Sequence, residues 1–274
     1  MKSILVPTDF SEPANNATHY AAELARISGA KLTLFHVFKL SIHASNALAN
    51  TGTIDKLMAQ HKSELNKIAL DLHSKYGIAV DFEIRQNDTI ENLKEYTSDH
   101  RVDLVVMGIQ NNLPEYKWFG NTTTSAIQLM QFPLLVVPDT SKYKGIKKIT
   151  YACDAQYIKE NCELTTLRNM VKINAAKLDV LHVLNKENER EPDQQMEEKL
   201  KPLLKDLDYQ FQYVRNKNIQ QGILDGTTEN HADLLVMVHH RMGFFESLIK
   251  NSNSGTMTVS TTLPLLVISN EQLC

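Results

Sequence analysis

One stretch of sequence occurs twice in this chain, and this repetition constrains the fold more than any other feature. The first copy, Asp103 to Pro138, reads DLVVMGIQNNLPEYKWFGNTTTSAIQLMQFPLLVVP. The second copy, Asp233 to Ser269, reads DLLVMVHHRMGFFESLIKNSNSGTMTVSTTLPLLVIS. Each reads as a buried strand, a polar loop, a helix start and a second buried strand. Two copies of one unit predict a chain built from two similar halves.

Two further blocks return in the same chain order. Lys2–Thr8 is echoed by Lys147–Cys153, and Leu32–Val37 is echoed by Leu178–Val183. With the DLVVM/DLLVM and PLLVV/PLLVI motifs, four blocks recur in one order, which indicates a tandem duplication.

The length and a polar connector predict two domains. A chain of 274 residues fits two domains of about 140 residues. Asp139–Gly145 (DTSKYKG) is polar and rich in turn formers, so it is the best boundary. We expect one domain at residues 1–141 and a second at residues 146–274.

Within each half, strand-like runs alternate with helical patterns. This alternation predicts an α/β fold, a doubly wound parallel sheet with helices on both faces. Ile4–Val6, Leu104–Met107 and Leu134–Val137 are continuously apolar, as central parallel strands are. The terminal strands of the halves, Leu134–Val137 and Leu265–Ile268, are the natural edges to pair across a pseudo-twofold axis. The chain would then contain its own pseudo-dimer, and a further homodimer stays open.

Composition narrows the function classes. A formal net charge of -3 offers no basic field for nucleic acid. We expect no signal peptide and no membrane helix, because no apolar run approaches the roughly 20 residues that a span needs. Three cysteines without a C-x-x-C pair indicate a reducing compartment, so we expect a cytoplasmic protein without a zinc site.

Polar segments follow the predicted central strands. In a doubly wound sheet, ligands bind beyond the carboxyl ends of the strands where the strand order reverses. Pro7-Thr8-Asp9, His36-Val37 and the loop from Gly108 should meet there. Gly120-Asn121-Thr122-Thr123, at a helix start, offers free N–H groups that suit a phosphate.

These motifs resemble the universal stress protein family in its tandem two-domain form. The resemblance is carried by ILVPTDFS (Ile4–Ser11), by His36-Val37 and by MG…FGNTTT (Met107–Thr124) followed by PLLVVP. It implies two Rossmann-like domains, each a five-stranded parallel sheet of order 3-2-1-4-5, and ATP or AMP binding in some members. It places the adenine end against Asp9 and Val37, and the phosphates on a Gly-x2-Gly-x9-Gly-Ser/Thr loop.

The first half departs from that loop pattern only in part. Gly108 matches the first glycine, Asn111 replaces the second, and the spacer to Gly120 is one residue short. Asparagine tolerates a left-handed backbone better than most residues, so this substitution does limited damage. The candidate nucleotide site therefore consists of Pro7, Thr8, Asp9, Val37, Met107, Gly108, Asn111, Gly120, Asn121 and Thr122.

The second half departs further. Val238 stands at the first glycine, Arg241 at the second, and Lys250 or Asn251 at the third. Only Asp154 and Val183 remain of the adenine end. We expect a degenerate copy that packs against the first half.

The resemblance implies a stress-response regulatory protein that binds an adenine nucleotide, with Mg²⁺ as an optional companion, and we expect it to catalyse no reaction. No G-x-S-x-G, H-E-x-x-H or Walker lysine motif occurs. The alternative is a nucleotide-free interaction protein with both loops degenerate, and slow ATP hydrolysis is a third, weaker hypothesis.

Several candidate residues also have plain structural interpretations. Asp9 and Asp154 could cap nearby amides rather than hold a metal with a nucleotide. His36 and His182 fit hydrogen-bonded strand-end histidines better than catalysts. His239-His240-Arg241 reads as a solvated loop, Trp118-Phe119 as packing onto the sheet, and Cys153 as a buried, inert thiol.

Overall fold

The structure is a computed structural model that describes residues 1–38, 51–110, 125–126, 132–153, 164–185, 194–239 and 262–269. These residues form ten strands and six helices. The strands are β1 Ser3–Pro7, β2 Lys31–Phe38, β3 Val80–Gln86, β4 Leu104–Ile109, β5 Leu134–Pro138, β6 Lys148–Ala152, β7 Lys177–Leu184, β8 Tyr209–Arg215, β9 Leu234–His239 and β10 Leu265–Ser269. The helices are α1 Glu12–Ser28, α2 Thr51–Tyr76, α3 Thr89–Asp99, α4 Thr165–Asn174, α5 Gln194–Leu204 and α6 Ile219–Glu229. Of these helices, none is long and apolar enough to cross a membrane.

All ten strands join one sheet in the order β3-β2-β1-β4-β5-β10-β9-β6-β7-β8. Strands within each half are parallel, and each half has the order 3-2-1-4-5. The predicted fold class, with two doubly wound sheets of this order, is confirmed. The helix start predicted at Gly120-Asn121-Thr122-Thr123 lies outside the described residues.

The two halves meet through their terminal strands. β5 and β10 pair antiparallel, with Leu265 opposite Val136 and Val267 opposite Leu134. This pairing satisfies the backbone groups that each strand would expose as a sheet edge. The sheet is therefore mixed at one junction and parallel elsewhere.

Helices cover both faces, and each apolar layer runs through both halves. On one face, α1, α2, α4 and α5 cover a layer that extends from Leu32 on β2 to Val180 on β7. On the other face, α3 and α6 lie over a layer that includes Phe35 and Leu181. Alternate residues of each strand serve the two faces, as a strand period of two requires.

Two equivalent aspartates tie the start of the fourth strand of each half to the start of its first strand. Asp103 Oδ2 accepts hydrogen bonds from the backbone amides of Lys2 and Ser3. Asp233 Oδ2 accepts from those of Lys147 and Lys148, at 2.8 and 2.9 Å. The aspartate of the repeated DLVVM and DLLVM motifs therefore has a structural role.

The connector between the halves is held by both of them. The ring of Tyr143 packs edge-on against Tyr20 of α1, with ring centroids 5.0 Å apart. Its hydroxyl donates to Asn174 of α4 at 3.3 Å. Asn16 of α1, which is buried, donates to the carbonyls of Pro138 and Ser141. These contacts fix where the chain leaves the first half.

Candidate functional site

The carboxyl ends of three neighbouring strands form the candidate site of the first half. β1 lies between β2 and β4 in the sheet. β2 and β3 add on one side of β1, and β4 and β5 add on the other. This is the point where the strand order reverses, which opens a crevice in sheets of this type. The structure thereby brings together Pro7, Thr8 and Asp9 after β1, Val37 on β2, and Met107 and Gly108 on β4.

The turn after β1 is built from side-chain hydrogen bonds to its own backbone. Thr8 Oγ1 accepts from the amide of Phe10 at 3.2 Å, and Asp9 Oδ1 accepts from the amide of Ser11 at 3.0 Å. Phe10 has φ 67°, in the left-handed region that residues with a Cβ seldom adopt. Ser11 then caps α1 by accepting from the amide of Ala14.

This turn leaves Asp9 exposed at the site. One oxygen of its carboxylate performs the capping role that the sequence allows. The other makes no hydrogen bond to any residue that the structure describes. Asp9 therefore combines a fixed position with an acceptor that faces solvent.

The backbone of Val37 is directed toward the same space. The backbone groups of odd-numbered residues of β2 form hydrogen bonds on the side of β1. The amide of Lys31 donates to the carbonyl of Lys2, and the carbonyl of Phe35 accepts from the amide of Thr8. Val37 is the next residue of that parity, and β1 has ended before reaching it. Within the described chain, neither the N–H nor the C=O of Val37 bonds to a residue that follows β1. Among the described residues, one donor and one acceptor of β2 are thus unpaired beyond the end of β1, the strand that Asp9 follows.

Gly108 lies where the first turn of α1 crosses β4. A Cβ at this position would lie 2.1 Å from the carbonyl oxygen of Pro13 and 2.9 Å from the amide nitrogen of Ala14. Only a residue without a side chain permits this approach. The glycine therefore brings the N-terminus of α1 against the sheet, a packing role that the sequence pattern did not reveal.

An aromatic cluster borders the site on the face of α1 and α2. The ring of Phe10 lies 4.6 Å from that of His36 and 6.0 Å from that of His61, between centroids. His36 Nδ1 lies 2.7 Å from the carbonyl oxygen of Thr8 and donates to it. His36 is therefore a hydrogen-bonded strand-end histidine, as interpreted from the sequence. Reasoning from the sequence did not single out Phe10 or His61; the signal for His61 was a histidine within the apolar stripe of α2.

Several predicted site residues lie outside the described residues, and so do parts of the degenerate second-half loop. The set comprises Asn111, Gly120, Asn121, Thr122, Trp118-Phe119, Asp154, His240, Arg241, Lys250 and Asn251. The residues predicted for the phosphates beyond Gly108 therefore stay a prediction from sequence, whereas Asp9 and Val37, which the resemblance assigns to the adenine, lie within the described residues.

The second half keeps part of this arrangement. His182 Nδ1 lies 3.2 Å from the carbonyl oxygen of Cys153, and the equivalent distance from His36 Nδ1 to the carbonyl oxygen of Thr8 is 2.7 Å. Cys153 is buried. Val238 occupies the position of Gly108 and packs on the apolar layer. The strand-end histidine is thus common to both halves, but the glycine is not.

Comparison with known proteins agrees with this geometry. The sequence profile of the universal stress protein family matches residues 1–138, half of the chain. The chain belongs to this family. Among curated proteins, none matches the sequence.

Universal stress proteins of known structure share the fold over both halves. One from Archaeoglobus fulgidus has a TM-score of 0.75 at 15% identity and covers 98% of each chain. A Pseudomonas aeruginosa protein described as a universal stress protein has a TM-score of 0.61 at 15% identity, over 100% of this chain and 96% of its own. At such identities the likeness concerns the fold.

Proposed function

We propose that this chain is a stress-response regulatory protein that binds an adenine nucleotide, ATP or AMP, at the carboxyl ends of β1, β2 and β4. Val37 would offer its N–H and C=O to the adenine edge, and Asp9 would accept from the base or the ribose. The phosphates would extend toward the loop after Gly108, with Asn121 and Thr122 as donors. Residues 1–141 would form the nucleotide-binding domain and residues 146–274 a second, nucleotide-free domain.

The observation that carries this proposal is the pair of backbone groups at Val37, beyond the end of β1, the strand that Asp9 follows. An adenine edge presents a donor and an acceptor, so it complements a strand residue whose N–H and C=O are both unpaired among the described residues. Leaving them without any partner would cost free energy, and a ligand would recover it. Membership of the universal stress protein family supports the same site.

The regulatory mechanism would be linkage between binding and conformation. A ligand that binds only the folded, closed form stabilises it by RT ln(1 + [L]/Kd), about 2.7 kcal/mol at a concentration 100 times Kd. Nucleotide level would then set the population of that form. This mechanism requires no bond to be broken, so we expect no phosphate release above the buffer blank.

Isothermal titration of the full chain with ATP and with AMP tests the proposal. Wild type should bind, and Asp9→Ala should weaken binding at least about tenfold, since it removes a charged hydrogen-bond partner. Asp81→Ala is a matched control: it removes an exposed carboxylate on β3 that pairs with Lys31, away from the site. Absence of heat at millimolar nucleotide, or equal binding by wild type and Asp9→Ala, would contradict the proposal.

A nucleotide-free interaction protein is the second candidate function. The observation that favours it concerns Gly108. The backbone of α1 already requires glycine at this position, so the presence of this glycine is explained without a ligand. If neither nucleotide binds, this function becomes the better interpretation of the same fold.

A further inference from the structure

Two histidine rings are in contact beside the end of β2. The ring centroids of His36, on β2, and His61, on α2, are 4.7 Å apart. Phe10 and Phe38 flank the pair, with the Phe38 ring 5.6 Å from that of His61. Two imidazoles are thereby held together in a mostly aromatic environment.

The hydrogen bond of His36 determines its tautomer. A carbonyl oxygen only accepts, so the contact between Nδ1 and Thr8 places the hydrogen on Nδ1. In the neutral ring, Nε2 then carries a lone pair. His36 is 5% exposed, and its Nε2 is buried without a hydrogen-bond partner in the described chain. Metal-binding histidines have this arrangement, since their other N–H is usually donated to a backbone carbonyl or a carboxylate.

His61 supplies a second buried ring nitrogen. Its Nδ1 is also buried and has no hydrogen-bond partner among the described residues, although the side chain is partly exposed. Burial lowers the pKa of His61, and the neighbouring His36 lowers it further, while Glu64 opposes both.

We propose that His36 and His61 together bind one divalent transition-metal ion, with Zn²⁺ and Cu²⁺ as the ions that imidazole suits best. Two imidazoles on one zinc, with Zn–N bonds of about 2.1 Å, place their ring centroids roughly 5 Å apart. The observed 4.7 Å fits that separation. Within the described residues no cluster of three or more His, Cys, Asp and Glu could hold a metal ion, so water would complete the coordination.

Titration of the full chain with Zn²⁺, after treatment with a chelator and in the absence of nucleotide, tests this site. Wild type should show a saturable site, and His61→Phe should weaken it at least tenfold while preserving the packing with Phe10 and Phe38. The chain has ten histidines, so a matched control is needed. His182→Phe removes the equivalent histidine, which contacts the ring of Tyr213, and should change the affinity less than twofold.

The same experiment separates this site from its alternatives. A water molecule between the two rings would also satisfy both nitrogens, and it predicts identical Zn²⁺ isotherms for wild type and His61→Phe. That result would overturn the proposal, as would equal losses in His61→Phe and His182→Phe. His61→Gln, which keeps a polar side chain on an exposed part of α2, should lose Zn²⁺ binding as His61→Phe does. Because no nucleotide is present, the outcome is independent of the adenine site.

Discussion

The two halves share a strand order but differ at one position of the fourth strand, which in the first half lies against the first turn of α1. Gly108 pairs with Val137 on β5, and Val238 pairs with Ile268 on β10, so the two residues are equivalent. At Gly108 the backbone of α1 occupies the space of a side chain. Val238 instead carries a partly buried side chain that packs on the apolar layer. The two halves therefore use equivalent strand positions differently: the first accommodates the backbone of a helix, and the second packs a side chain.

On the opposite face of the sheet, the two halves also differ in the size of the residues that pack between helix and strand. In the first half, Phe35 of β2 packs against Tyr96 of α3, with ring centroids 5.2 Å apart. The equivalent residues of the second half are Leu181 and Gly226, and a Cβ on Gly226 would lie 2.7 Å from Leu181 Cδ1. Two aromatic rings are replaced by a leucine and a glycine. The helix compensates for the lost volume by packing closer to the strand.

The largest effect is expected from exchanging the residues that distinguish the halves. Gly108→Val should destabilise the protein by about 3 kcal/mol or more, because the new side chain meets the backbone of Pro13. Val238→Gly removes only a partly buried side chain, so it should cost about 1–2 kcal/mol. Urea unfolding followed by circular dichroism measures both free energies. Equal stability of Gly108→Val and wild type would show that α1 does not depend on this contact.

Local patterns explain why the fold could be predicted while part of the site could not. Strands and helices follow from hydrophobic periodicity, and the repeated blocks identify the two halves. The contact of Asp103 with Lys2 and Ser3 joins residues about 100 positions apart, so no local pattern contains it. The sequence placed Gly108 in the candidate site, but it could not show that the backbone of α1 packs against this glycine, because that contact depends on tertiary packing. The sequence does not predict the contact between His36 and His61 either, because that contact also depends on tertiary packing.

Substitution of the two equivalent aspartates should lower stability by intermediate and equal amounts, because the two halves use this residue in the same way. Asp103→Ala and Asp233→Ala each remove an acceptor shared by two backbone amides. Each should cost about 1–3 kcal/mol, and the two losses should agree within about 0.5 kcal/mol. Asp81→Ala, which removes only an exposed ion pair with Lys31, should change stability by less than about 0.5 kcal/mol. Clearly unequal losses would mean that the motif has a different role in each half.

The smallest effect concerns the close packing of α6. Alanine is favoured over glycine within a helix by about 1 kcal/mol, which opposes any steric cost. At Gly226 the new Cβ meets the ends of the flexible Leu181 side chain, at 2.7 and 2.8 Å, so gain and cost should leave stability within about 1 kcal/mol of wild type. A Cβ added at Gly222 would lie 2.6 Å from Val183 Cγ1 and 3.2 Å from Asn216 Cβ.

A β-branched valine has few rotamers with which to yield, so Gly222→Ala should be the more destabilising of the two, by about 1–2 kcal/mol. Urea unfolding of the two alanine variants side by side measures the order, and each serves as the control for the other. The opposite order would mean that Leu181, although flexible, is fixed by the surrounding layer. The packing of α6 on the sheet would then tolerate an added Cβ as poorly as the packing of α1 at Gly108 does. Helix packing on both faces of the sheet would then depend on glycine.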